Sequence, residues 1–555
     1  MSPAASIPGL YYTFVAPPAE KSPLRTDVAG FFGRTVRGPI GLAIRVTGWR
    51  EYVNVFGDLD EGMMTPYALR GYFENGGRAA HIVRLLGGGS QPAWTTWTAG
   101  CFDTATGNLD ADWPGASGLA AIQYRIEATS PGDWANGTFI EIRLWTSGRM
   151  GQPEIELDII PPNQQPEFLT GIDPGSISEE VAAQSAYIRI AAMPLPPGLA
   201  PVLLGAAGPR YRTWTPPRLG SGLTIPPSRS DYLAAVQSLG DEPEVALVAS
   251  PDLHAASASY GSDGNSILTE ADRIDVLAAL LIQAEQLHDR LVIIDVPPDL
   301  TDSLKAVSWV DGLRLHPELG DEAVLRNAAV YHPRLRVPDP LGGVAAPLRC
   351  VASCGHVAGV ISRLDGQLGA YYTPANASIM EALDLSQSID AADQAILYAG
   401  GINLLRCSPG RGLLVWGGRV LGLPDHHGAE GRGTQVGLTP PGGFIAHRRL
   451  VHVLVRAIRA VAEPLVFSTN GPELWLAFVR SITTVLLEAF WAGALKGATP
   501  EQAFKVTCDA TINGPDEIDQ GVVLCLIQVA PAVPMEFITL RVQVSANGQL
   551  EVFES

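Results

Sequence analysis

Two short apolar runs separated by an amphipathic helical pattern constrain the fold of this chain more than any other feature. The runs are residues 244–249 (EVALVA) and 291–296 (LVIIDV), and the helical pattern covers residues 273–288. One face of that pattern carries Ile274, Leu277, Leu280, Leu281, Ala284 and Leu287. Two buried strands joined by a crossover helix form a parallel pair, which requires an α/β layer. The sequence therefore predicts a βαβ central domain.

The remaining chain divides around this layer into segments of different character, so we predict an α/β and α+β multidomain protein. The predicted parts are an N-terminal arm (1–25), a central α/β domain (26–90 and 230–345), a β-rich insertion (91–229) and a C-terminal α+β domain (346–555). The insertion follows a glycine-rich hinge, GGGSQP, and contains short alternating runs at 123–128 and 138–145. Such runs are typical of antiparallel strands.

The charge balance excludes two classes of function. The 555 residues contain 38 Lys and Arg against 57 Asp and Glu, which gives a net charge of −19. This balance argues against a general nucleic-acid binder and against docking on an anionic membrane. Charged residues make up 17% of the chain, below the average of about 25%. We expect that much of the surface is covered, for example by copies of the same chain.

Cysteine usage and the chain start favour synthesis in a reducing cytoplasm. Six cysteines in a chain of this length do not form a disulfide framework. The first residues lack the basic and apolar regions of a signal peptide. The most apolar stretch, residues 474–495, carries Arg480, Thr484 and Glu488 on one narrow stripe. We therefore predict a core helix there and no direct membrane insertion.

Candidate catalytic and metal-binding residues are few. Asp252 and Asp295 follow the two apolar runs, where α/β sheets often hold catalytic carboxylates, but aspartate is also common in turns. No phosphate-binding loop and no nucleophile elbow accompanies them. We therefore predict no catalytic residue and no cofactor.

Two histidine-containing motifs have the residue types of metal sites. Cys350 and Cys354 with His356 resemble half of a zinc site, and Asp425-His426-His427 lies in a glycine-rich loop. The first motif lacks its second half, and a solvated turn is the better interpretation of the second. We predict no metal.

A basic stripe marks the predicted helix 446–463. Arg449, His452, Arg456 and Arg459 recur at helical spacing opposite an apolar face. The stripe is either a solvated helix face or a contact with an acidic surface, on a partner or on the chain itself.

Short motifs in both halves of the chain resemble those of the contractile tail sheath protein family. In the N-terminal half they are GRTVRGP (33–39), WREY (49–52), VFG (55–57) and FENGG (73–77). In the C-terminal half they include GIN (401–403), VWGGR (415–419), RRL (448–450), GALKG (493–497), PEQAF (500–504) and PMEF (534–537). Their number and order over about 300 residues carry the resemblance.

The resemblance implies a structural role. Members of this family form stacked hexameric rings around an inner tube and contract to drive the tube through a target cell envelope. It implies partners: further copies of the chain, the inner tube protein, and baseplate and terminal cap proteins. It also implies an inner C-terminal domain, an outward-facing insertion, and a location in a phage tail or injection particle. The alternatives are an α/β hydrolase-like enzyme and a non-contractile shell protein.

The chain ends are the expected links between subunits under this resemblance. The arm carries Leu10, Tyr12 and Phe14 in a β-prone run, and residues 535–544 alternate with Ile538, Leu540 and Val542 on one face. These strands would complete the inner-domain sheets of neighbouring subunits. The alternative is a local hairpin at Asn547-Gly548 that pairs the terminal strand within its own chain. The basic stripe would face the tube.

Overall fold

The computed structural model describes residues 25–103, 109–110, 119–146, 153–194, 200–201, 211–255, 268–319, 322–422, 443–465, 468–532, 538–544 and 550–554. The first of these ranges begins with β1 (Val28–Gly33), β2 (Ile44–Val46), α1 (Trp49–Phe56), α2 (Thr65–Glu74) and β3 (Ala79–Arg84). The following elements are β4 (Trp94–Asp103), β5 (Leu109–Asp110), β6 (Leu119–Ala128), β7 (Phe139–Thr146), β8 (Pro153–Ile160), β9 (Glu167–Ile172), α3 (Ile177–Gln184), β10 (Ile188–Ala192), β11 (Ala200–Pro201) and β12 (Tyr211–Trp214).

The chain then returns to alternating helices and strands. These are α4 (Arg229–Gly240), β13 (Leu247–Ala249), α5 (Glu270–Leu287), β14 (Leu291–Asp295), α6 (Ser303–Arg314), α7 (Glu322–Leu325), β15 (Ala328–His332), β16 (Leu335–Pro338), β17 (Leu348–Val351), α8 (Cys354–Leu368), β18 (Asp384–Leu385), α9 (Ala391–Ala399), β19 (Ile402–Ser408) and β20 (Gly412–Trp416). The last elements are α10 (Ile445–Ala462), α11 (Pro472–Trp491), α12 (Pro500–Ala503), β21 (Phe504–Thr507), α13 (Pro515–Asp519), β22 (Val523–Val529), β23 (Ile538–Val544) and β24 (Leu550–Glu554).

An eight-stranded sheet forms the centre of the molecule, in the order β2-β3-β1-β13-β14-β15-β19-β20. The six inner strands are parallel, and the edge strands β2 and β20 are antiparallel to their neighbours. Apolar side chains of α4, α5 and α6 cover one face, and those of α1, α2 and α8 cover the other. Burial on both faces explains why β13 and β14 are continuous apolar runs. The predicted βαβ unit is confirmed, since β13 and β14 are parallel and α5 connects them.

The central sheet extends further along the chain than the sequence predicts. β19 and β20 lie beyond residue 346, where we expected the C-terminal domain to begin, yet β19 pairs in parallel with β15. The predicted boundary at 345 is therefore wrong. The glycine- and proline-rich stretch there resembles a linker in composition, but it connects two parts of one sheet.

The β-rich segment forms two antiparallel sheets around one core. One contains β10, β6, β4 and β5 with β11 beside β6, and the other contains β12, β7, β8 and β9. Apolar residues from both sheets, such as Trp97, Ile126 and Ile142, share this core. The two ends of the segment meet where the backbone of Gln91 pairs with that of Leu223. The segment is thus inserted between two adjacent points of the central domain.

The C-terminal unit packs two helices on a four-stranded antiparallel sheet, β21-β22-β23-β24. Its core joins Leu454 of α10 and Phe478 of α11 to Ile527 of β22. The helix predicted at 446–463 is α10, and the core helix predicted within residues 474–495 is α11.

Candidate assembly interface

The carboxylate of Asp252, after β13, is a buried cap of helix α2. It accepts hydrogen bonds from the backbone N–H groups of Arg34 and Met64, both at 2.8 Å, and from the hydroxyl of Thr65. Asp252 is 0% exposed. Because its oxygens are engaged by fixed donors at the start of α2, this carboxylate is a structural group.

Asp295, the last residue of β14, caps a second helix in the same way. Its Oδ1 accepts from the backbone N–H and the hydroxyl of Ser353 and from the N–H of Cys354, where α8 begins. Both aspartates thus cap helices that begin far away in the chain, an arrangement that neither the catalytic nor the turn interpretation predicted.

The half zinc motif is split between two environments. Cys350 is exposed on β17, whereas Cys354 and His356 are buried in α8. Burial lowers the pKa of His356 to about 4, and its ring packs where α8 crosses Gly71 of α2. The described residues contain no group of three metal-ligating side chains. Asp425, His426 and His427 lie outside those residues.

The basic stripe of α10 is buried against the central domain. Arg449 donates to the carbonyl oxygen of Thr26 at 2.7 Å and forms an ion pair with Asp365. The neighbouring Arg448 forms an ion pair with Glu285 at 3.0 Å.

Arg456 binds backbone carbonyls from three segments. It donates to Arg25 at 2.8 Å, to Asp289 at 3.2 Å, and to the carbonyl oxygen of Val245. Arg459 lies at the end of this row, 3.7 Å from the carboxylate of Asp289. The arginines therefore fasten α10 to the strand ends of the central domain and to the start of β1.

Burial shifts the pKa values of this cluster in the expected directions. It lowers the pKa of Arg456 to about 10. It raises the pKa of Asp365 to about 6, while the charge of Arg449 acts in the opposite direction. Burial and the surrounding arginines hold the pKa of His452 well below its usual value.

The expectation that this stripe faces the inner tube is thereby corrected. Arg449, His452 and Arg456 are at most 7% exposed, and Arg459 is the one partly accessible member, with a side chain 30% exposed. The acidic and carbonyl surface that the stripe meets belongs to the same chain. The sequence did not reveal the acceptors Asp365 and Glu285, because each is a single acidic residue on a helix that is distant from α10 in the chain.

The expectation that the terminal strand pairs with neighbouring subunits is also corrected. β23 pairs along its whole length with β22 on one side, and from Leu540 to Val544 with β24 on the other. Leu540 and Val542 therefore have partners from their own chain on both sides, and Ile538 has one on the β22 side. The hairpin alternative is the one observed, although its turn residues lie outside the described ranges. The outer strands of this sheet, as described, are β21 and β24. Leu10, Tyr12 and Phe14 of the arm lie outside the described residues.

An apolar helix face in this C-terminal unit is accessible. Leu476 of α11 is 50% exposed, and Trp491 at its end is 73% exposed. Among the described residues α11 is long and apolar enough to cross a membrane by length and composition. It instead contributes Phe478 and Ile482 to the core with α10. The predicted stripe of Arg480, Thr484 and Glu488 is exposed.

A second accessible apolar region is a groove of about 650 Å³ between α9, β20 and the start of α10. Tyr398, Trp416 and Phe444 line it. Exposed apolar surface of this kind is typical of subunits that are covered by neighbours. Both regions are candidate contact surfaces for another protein.

Residues 439–545 match the family described as phage tail sheath C-terminal domain. No curated protein matches the chain. The matched range contains α10 through β23, so it covers the C-terminal unit except for β24.

Solved structures of sheath proteins share the fold over nearly the whole chain. A sheath tail protein from Listeria innocua is 10% identical with a TM-score of 0.59, and the alignment covers 95% of this chain and 96% of that one. A sheath tail protein from Desulfitobacterium hafniense is 11% identical with a TM-score of 0.58, over 97% and 100%. The helical sheath of the anti-feeding prophage in its contracted state is 19% identical with a TM-score of 0.52, over 96% and 98%. The resemblance to contractile tail sheath proteins is confirmed.

Proposed function

We propose that this chain is a sheath subunit that polymerises into stacked hexameric rings around an inner tube and contracts to drive the tube through a target cell envelope. The observation that carries the proposal is the match of residues 439–545 to a sheath C-terminal domain, because this range contains α10, α11 and three of the four strands of the C-terminal sheet. The whole-chain likeness to sheath folds supports it.

The accessible surfaces suit such an assembly. The exposed end of α11 and the aromatic groove are apolar areas that neighbouring subunits or the tube would cover. Contraction would then be a rigid-body rearrangement of subunits, released from a kinetically trapped extended state.

The N-terminal arm is the proposed connector between subunits. The residues that follow it, Arg25 and Thr26, are held to α10 because their carbonyl oxygens accept from Arg456 and Arg449. An arm anchored there would add its strand of Leu10, Tyr12 and Phe14 to an outer strand of a neighbour's C-terminal sheet, β21 or β24.

The proposed partners are copies of this chain, an inner tube protein, a baseplate and a terminal cap. Contact with a baseplate is supported by a fold likeness to a chain in the baseplate structure of the anti-feeding prophage, with a TM-score of 0.51. The role requires no cofactor, metal, catalytic residue, nucleic acid or membrane insertion. We place the subunit in the cytoplasm on synthesis and then in a phage tail or injection particle.

Electron microscopy distinguishes this proposal from the two alternative functions, an α/β hydrolase-like enzyme and a non-contractile shell protein. The chain is expressed with its tube protein and imaged in negative stain. We expect rings or tubes with two different ring spacings, one extended and one contracted. A single spacing under all conditions would favour a shell protein, and compact particles alone would contradict assembly.

A further inference from the structure

Antiparallel pairing places two cysteines of the C-terminal sheet opposite each other. β21 pairs with β22 from Phe504 opposite Val529 to Thr507 opposite Leu526. One further step in this register brings Cys508 opposite Cys525.

The position of this pair in the ladder suits a disulfide. Ala530 N–H donates to the carbonyl oxygen of Ala503 at 2.8 Å, which makes residues 503 and 530 a hydrogen-bonded pair. Because pair types alternate, the positions that follow the last recorded pair, 508 and 525, correspond to a non-hydrogen-bonded pair, a type whose Cα atoms lie about 4.5 Å apart. Disulfides span Cα separations of about 4.4–6.8 Å.

Both thiols point into the same core and touch. Cys508 is 7% exposed and Cys525 is 3% exposed, both belong to the core shared by α10, α11 and the sheet, and the Cys508 thiol beside Cys525 helps to raise its pKa. Asn513 fixes the turn after Cys508, since its side chain both donates to and accepts from the backbone of Leu524. The two sulfur atoms are thus held together by the fold.

We propose that Cys508 and Cys525 are an oxidation site that forms a reversible cross-strand disulfide in an oxidising medium. The oxidant is a low-molecular-weight disulfide such as oxidised glutathione. The thiolate of one cysteine attacks it, forming a mixed disulfide and releasing one glutathione. The second cysteine then attacks the protein sulfur of the mixed disulfide and releases the other glutathione. Two thiols lose two protons and two electrons, and one disulfide is reduced to two thiols.

The surroundings of the pair keep it reduced until the edge of the sheet opens. The contact with Cys508 and burial raise the pKa of Cys525, so the reactive thiolate is scarce in the closed sheet. β21 is an outer strand and short, which makes it the part of the sheet that opens most readily. Once formed, the disulfide ties β21 to β22 and closes a loop over residues 508–525. The site is independent of the proposed function.

The test measures thiols and linked peptides in the purified, folded full chain. Oxidised glutathione is added, free thiols are alkylated, and a protease digest is analysed without reduction. We expect a peptide pair linked through Cys508 and Cys525, two hydrogen atoms lighter than its parts, whereas the exposed Cys350 and Cys407 can take up glutathione only as mixed disulfides. Thermal unfolding should shift upward by a few degrees and return after reduction.

Matched variants separate the pair from the other cysteines. Cys350→Ala should still form the linked peptides, whereas Cys508→Ala and Cys525→Ala should lose both the link and the thermal shift. If either variant fails to fold, the digest of the unaltered chain still shows whether Cys508 and Cys525 become linked. Separate alkylation of Cys508 and Cys525 after full oxidant treatment, or a link to another cysteine, would overturn the proposal.

Discussion

Asp295 caps helix α8 across 58 residues of chain, because its Oδ1 accepts from both the N–H and the hydroxyl of Ser353, at 2.7 and 2.5 Å. Asp252 serves α2 in the same way. The carboxyl ends of two central strands are thus joined to the starts of the helices that cover one face of the sheet. The positions that hold catalytic groups in many α/β proteins here hold structural caps.

Removing one cap should destabilise the central domain. Asp295→Ala leaves the first N–H groups of α8 buried without acceptors, and we expect a loss of about 2–3 kcal/mol in unfolding free energy. Chemical denaturation followed by tryptophan fluorescence measures it. Asp299→Ala, at an exposed turn nearby, should change stability by less than about 0.5 kcal/mol. Equal effects of the two substitutions would contradict the capping role.

The buried pair Arg449–Asp365 should show a pH-dependent cost when it is broken. Arg449→Met leaves the Asp365 carboxylate unpaired and buried, which costs about 3–5 kcal/mol when that group is charged. In the folded chain burial raises the pKa of Asp365 to about 6, above the value in the unfolded chain. The contribution of the Asp365 carboxyl group to the free energy of unfolding therefore falls as pH rises from about 4 through 6. The substitution raises this pKa further, and the deficit should therefore be larger at pH 8 than at pH 5.

The double variant Arg449→Met with Asp365→Asn is the control for this pair. It removes both charges, and its stability deficit should be smaller and nearly independent of pH. A deficit of the single variant that is the same at both pH values would show that the Asp365 carboxylate is not the cause.

Two arginines of the same stripe should differ in their contribution to folding. Arg456→Met leaves buried carbonyls without donors, and we expect a loss of about 3 kcal/mol. Arg459→Met removes one long, partly exposed ion pair and should cost less than about 1 kcal/mol. Thermal unfolding of the two purified variants compares them. The reverse order would mean that α10 is not fastened through Arg456.

The β-rich segment should be removable. Residues 92–222 are replaced by an Asn-Gly turn, since the backbone of Gln91 already pairs with that of Leu223. The remainder should unfold cooperatively, somewhat weakened because Arg84 loses its hydrogen bond to Pro131. Gel filtration and circular dichroism report the result. An insoluble remainder with several turn sequences would show that the two parts need each other to fold.

Deletion of residues 1–18 should separate folding from assembly. The arm's anchor at Arg25 and Thr26 is kept, so we expect folded, soluble subunits that form no tubes. The full chain, treated identically in negative-stain microscopy, is the control. Normal tubes from the truncated chain would exclude the arm as a connector.

The amino-acid sequence by itself determined the local elements, because they depend on periodicity over a few residues. The βαβ unit, the antiparallel strands of the insertion and the two long C-terminal helices follow from patterns that are complete within each segment. The short motifs likewise identified the sheath resemblance.

The tertiary structure alone decided which polar groups meet. The sequence of α10 predicts a helix with a basic face. In the structure that face is buried, and Arg449 donates to the carbonyl oxygen of Thr26, 423 residues away in the chain. The alternation of residues 538–544 predicts a strand, but not whether its partners are β22 and β24 of the same chain or strands of another. A hydrogen bond between distant segments depends on the geometry of everything folded between them, and no local pattern records that geometry.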